Sequence, residues 1–131
     1  MSDLTHFERA VMQRLLDGED EGLSILREQL EMIAVTKREM TGTGFYTTFL
    51  VMDGARRLPG NLSFKFGDVI AKMPGLNWGA GFLLYVEDGA LHMLEGYAYD
   101  ESWPQQISAF ELSYTTGHQR DLEGLHEILR G

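Results

Sequence analysis

The chain has 131 residues, 44% of them hydrophobic, no cysteine, and a formal net charge of −9 from 20 acids against 11 Lys and Arg. That length and apolar content suit a single globular domain over 1–131 with its own core, and the lack of cysteine excludes disulfides and thiolate chemistry. So acidic a chain repels a phosphate backbone, and the basic pairs Lys37-Arg38 and Arg56-Arg57 are too small to build a binding stripe, so no nucleic-acid partner is expected.

Helical spacing comes first. Leu4, Phe7, Val11 and Leu15 fall on one stripe beside Ala10, while Glu8, Arg9 and Arg14 are assigned to other faces. Thr5 with Glu8 three residues later has the pattern of a capping box, with Ser2 or Asp3 as earlier alternative starts. Asp17-Gly18 ends this helix. A second stripe, Leu23, Leu26, Leu30 and Ile33, runs from about Asp20 to Ala34, and the short acidic link "DGEDEG" predicts an antiparallel helical hairpin.

From Val35 the period becomes two. "GFYTTFLVM" alternates Phe45, Thr47, Phe49 and Val51 against Tyr46, Thr48, Leu50 and Met52, residue types that suit a pleated surface. "DGARRLPGN" is a loop, and "LSFKFGDVIAKM" a strand broken or bulged at Gly67. In "GFLLYVEDGALHMLEGYAY" two apolar runs flank Asp88-Gly89, a pair suited to a type I′ turn. Regular pairing about that turn places Val86 opposite Leu91, Leu84 opposite Met93 and Phe82 opposite Glu95. A last strand, "ISAFELSYT", follows the Trp103-Pro104 corner, and the tail forms a short helix bearing Leu122, Leu125 and Leu129. The predicted class is α+β: an N-terminal helical hairpin packed on a mostly antiparallel, about five-stranded curved sheet, with a short C-terminal helix.

Motifs for chemistry are missing where they would be diagnostic. "TGTG" lacks the lysine and the following helix of a phosphate loop, and the third glycine of a dinucleotide fingerprint, so Gly42 and Gly44 are assigned to a tight bend or close strand approach. "HEILR" starts like a zinc-protease helix but has Arg130 where a second histidine belongs, and His6, His92, His118 and His126 are otherwise scattered. "DGEDEG" has too few spaced oxygen ligands for a calcium loop, and its acids favour the next helix N-terminus instead. Ser63, Ser108 and Ser113 have no assignable base. No catalytic residue, metal or cofactor is therefore expected. Asp68 is a candidate turn carboxylate.

One stretch does raise a site. In the regular hairpin register Glu95, Tyr97 and Tyr99 share the face of Leu84, Val86, Leu91 and Met93, so Glu95 must be paired, exposed or shifted in pKa. Glu95, Tyr97, Tyr99 and Trp103 are then candidate pocket residues, and Trp78 in "PGLNWGAG" joins Trp103 as a candidate aromatic anchor.

The runs "TGTGFYTTF" and "GAGFLLYVEDGALHMLEGYAYDESWP" resemble a family of small bacterial proteins, and the resemblance extends to "FERAVMQRLL" near the start. It implies a bacterial cytoplasmic protein of this arrangement and carries no activity with it. The opening "MSDLTHFERAV" has no basic-then-apolar leader and no apolar run approaches bilayer length, so a cytoplasmic location and no membrane are expected. Two functions fit. One is a non-catalytic interaction module, immunity-like in character, that presents an acidic face, including Asp100 and Glu101, to a basic protein partner. The other is a small-molecule binder or enzyme using the pocket around Glu95. A homodimer covering an exposed sheet edge or face is a third expectation.

Overall fold

The structure, a computed structural model, describes residues 4–130. The alternative helix starts Ser2 and Asp3 lie outside the described residues. Helix α1 spans His6–Leu15 and opens with the expected capping box: the Glu8 amide donates to Thr5 Oγ1 at 3.1 Å and the Thr5 amide to Glu8 Oε1 at 2.9 Å. Its apolar stripe buries Phe7, Val11, Met12 and Leu15, each worth about 1.5–3 kcal/mol relative to exposure. Helix α2, Glu21–Leu30, starts at an Asp20 cap whose Oδ1 accepts the Leu23 amide at 3.0 Å. An Arg9–Glu31 ion pair of 3.1 Å joins the start of α1 to the end of α2.

Helix α2 ends at Leu30, so Ile33 opens a strand instead of closing a helix. The sheet contains β1 (Ile33–Met40), β2 (Gly44–Val51), β3 (Phe64–Phe66), β4 (Val69–Met73), β5 (Leu76–Glu87), β6 (Ala90–Ala98) and β7 (Glu111–Tyr114). Helix α3 follows at Leu122–Arg130. All pairings are antiparallel, in the order β1-β2-β6-β5-β4-β7, with β3 beside the second half of β5. Among the described residues the strands number seven where about five were expected. "VTKREM" carries too many charges to read as a strand, yet it forms the edge strand β1, one side of which faces water. The segment around Gly67 splits into β3 and β4, as anticipated, because Gly67 passes too close to the Phe82 carbonyl to carry a side chain.

The "TGTG" stretch is a turn followed by a strand. Gly42 sits at φ +90° between β1 and β2, and a Cβ on Gly44 would lie 2.0 Å from the Gly96 carbonyl oxygen of β6. The three helices pack on one face of the sheet, over Phe45, Phe49, Phe66, Phe82, Leu84 and Leu94. Buried Gln29 locks α2 to the β5–β6 turn: its Nε2 donates to the carbonyls of Arg56 and Gly89, both at 2.9 Å, and its Oε1 accepts the Leu91 amide at 2.9 Å. Asp68 serves architecture too, taking a bidentate bond from Arg120, whose guanidinium also reaches the carbonyls of Leu15 and Asp17.

Candidate functional site

The β5–β6 hairpin decides where the candidate residues point. Asp88 (φ +50°) and Gly89 (φ +76°) form the two-residue turn, and Val86 faces Leu91 as expected. Beyond that pair the expected register fails. Tyr85 pairs with Met93, Leu84 with Leu94 and Leu83 with Glu95, leaving His92 as an extra residue on β6. The physical reason lies in the three-residue spacing of Leu91 and Leu94. Regular pairing would bury Glu95 and expose Leu94; one bulge keeps both leucines in the core and turns the carboxylate outward.

Glu95 therefore lies on the face opposite the helices. It is half-buried and faces Tyr46 across β2 and Leu83 across β5. Tyr85 donates its hydroxyl to Glu95 Oε1 at 2.9 Å. Burial, then the bond to Glu95 and its charge, push the Tyr85 phenol up to about 12. The charge of Glu95 also raises Tyr46, which hydrogen-bonds the same carboxylate. Tyr97 lies over Gly81 and meets Tyr99 edge-on at 5.6 Å, and burial followed by Tyr99 raises its phenol as well. These phenols stay protonated at neutral pH, so the cluster offers hydroxyl donors and aromatic faces but no activated nucleophile.

The row continues into a groove of about 810 Å³ lined by Tyr99 and Trp78, with Ile70, Lys72 and Glu111. Thus Glu95, Tyr97 and Tyr99 follow one another along β6 and the residue just past it, and Trp78 shares the groove with Tyr99. Trp103 is apart from them. Its ring packs on Phe7 and Phe45 on the helix side, at 6.4 and 5.3 Å between centroids. It lines a separate cleft of about 390 Å³ with Phe7, Phe45, Phe110, Glu8 and Arg38. A single pocket joining Glu95 to Trp103 is not formed, because the sheet lies between them.

Among the described residues the buried carboxylate is Glu8, which helical spacing had turned away from the core. Its Oε1 accepts the Thr5 amide and Arg38 Nη2 (2.6 Å), and its Oε2 accepts Arg38 Nε (3.1 Å) and the Thr47 hydroxyl (2.6 Å). Burial alone would raise its pKa; the bonds from Arg38, Thr47 and Thr5, with the charge of Arg38, outweigh burial and hold it low. With four donors on two oxygens it has no vacant lone pair to act as a base. A β1 bulge at Thr36 aims Arg38 inward to meet it.

Asp20 is also held low, since bonds from the Leu23 amide and His126, and the charge of His126, exceed its desolvation. Glu101, named with Asp100 for the acidic face, accepts the backbone amides of Asn77 (2.9 Å) and Trp78 (3.0 Å). Among the described residues no group of three or more His, Asp or Glu is placed to hold a metal ion. No helix of the described residues is long and apolar enough to cross a membrane. Sequence reasoning missed Tyr46 and Tyr85; the Leu91–Leu94 spacing was the signal that would have put Tyr85 on the face of Glu95, whereas Tyr46 comes beside it through the β2–β6 pairing. Comparison of the chain with family models, with curated proteins and with solved structures finds no match.

Proposed function

We propose that this chain is a non-catalytic protein-interaction module that docks a basic partner on the helix-free face of its sheet. The observation that carries this reading is the cluster of Tyr46, Tyr85 and Tyr97 about Glu95 on the face the helices leave open, continued by Tyr99 into the groove that it shares with Trp78. Tyrosine and tryptophan dominate protein interfaces because they bring large rigid area with a polar tip. The net charge of −9 favours a basic counterpart and speeds its capture. An immunity-like role, neutralising a basic protein in the bacterial cytoplasm, fits that character by analogy.

The test is capture from a clarified extract of the source cells at low salt. A basic protein retained in stoichiometric amount by the wild type, and lost by a Tyr85→Ala, Tyr97→Ala double variant, supports the reading. No stoichiometric protein on the wild type contradicts it. Light scattering at twice the chain mass would instead assign the face to a second copy.

A further inference from the structure

Trp78 is 75% exposed and Tyr99 45% exposed, while most large apolar side chains of this chain lie in the core. An indole left so open is uncommon unless something covers it. Nor is its backbone loosely held. The two oxygens of Glu101 each take a backbone amide, one from Asn77 and one from Trp78, and fasten the start of β5 to the segment after Tyr99. The groove between the two rings is therefore set by fixed backbone.

Its charge narrows the occupant. Lys72 and Glu111 are cross-strand partners and offset each other. The two further acids near the rings are Glu101, bonded to the Trp78 amide, and exposed Asp100, next to Tyr99 in the chain, with the net charge of −9 behind them. Flat π faces with carboxylates nearby match a guanidinium, which is planar, weakly hydrated and attracted by ring faces. A proline ring or a sugar would also stack on the rings but gains nothing from those carboxylates. We infer that the Trp78–Tyr99 groove receives an arginine side chain from a basic segment of the partner. This rests on the interaction-module reading and names the chemistry that site recognises.

The two tryptophans give two indole N–H signals, and buried Trp103 is the internal control. The probe is a capped Gly-Arg-Gly-Arg-Gly-Arg-Gly peptide titrated into the ¹⁵N-labelled protein, beside citrulline, proline-rich and oligosaccharide counterparts. The arginine peptide should shift the Trp78 signal saturably and leave Trp103 in place. Citrulline substitution, and separately Tyr99→Ala, should each weaken binding about fivefold. A static Trp78 signal, equal binding by the citrulline peptide, or tighter binding of the proline or sugar probe overturns the inference. Undiminished partner capture by a Trp78→Ala variant overturns it too while leaving the module reading intact. Arginine-peptide binding without any captured protein supports the groove chemistry and removes the module reading.

Discussion

Two glutamates show how single residues set this surface. Glu8 is buried and bonded by four donors, whereas Glu95 sits outside between two phenols. Glu8→Ala would remove the acceptor of two Arg38 bonds and of the buried Thr47 hydroxyl, so it should lower stability by about 3 kcal/mol in urea unfolding. Glu95→Ala should change it by less than about 1 kcal/mol. Because Glu8 and Asp20 are held low in the folded state, the stability they contribute is present above the ordinary carboxylate range and is lost as pH falls through their folded values. A urea midpoint constant from pH 7 down to pH 3 would contradict that. Tyr85 titrates the other way. Glu95→Gln removes the charge and leaves only a neutral amide oxygen to accept the bond, so the Tyr85 pKa should fall in an NMR titration.

At the scale of elements, Gln29 is the tie between α2 and the β5–β6 turn. Gln29→Glu keeps its shape but points a carboxylate at the carbonyls of Arg56 and Gly89. We expect a loss of about 3 kcal/mol at neutral pH, partly recovered in acid as the new carboxyl is protonated. A variant as stable as the wild type at pH 7 would refute this role. The type of each long element was legible from residue spacing: both N-terminal helices, the capping box at Thr5, the Asp88-Gly89 turn and the α3 leucines. What spacing could not supply was the sheet's exceptions. β1 hides behind its charges because Arg38, its inward residue, is matched by Glu8 from another element. Of the three register shifts in the sheet, those at Thr36 and His92 each reverse the faces beyond them, and each is fixed by a tertiary need that alternation does not encode. Deleting His92 should thus leave Leu84 opposite Leu94 and Tyr46 opposite Glu95, detectable as unchanged cross-strand NOEs.

For the whole molecule, one side of the sheet carries the helices and the core, and the other is left to Tyr46, Tyr85, Glu95, Tyr97 and Tyr99. Of the five residues singled out as binding candidates, four lie along that open side and its groove, while Trp103 belongs to the core. A net charge of −9 should make capture of a basic partner depend on salt, the association rate falling roughly tenfold between 20 and 200 mM salt in stopped flow. The most direct test is hydroxyl-radical footprinting of the protein alone and with the partner it captures. Protection should concentrate on Trp78, Tyr99, Tyr97 and Tyr85, with the exposed residues of α2 and α3 reacting as before. Protection confined to the helices, with those four rings still open to oxidation, would contradict docking on the open face.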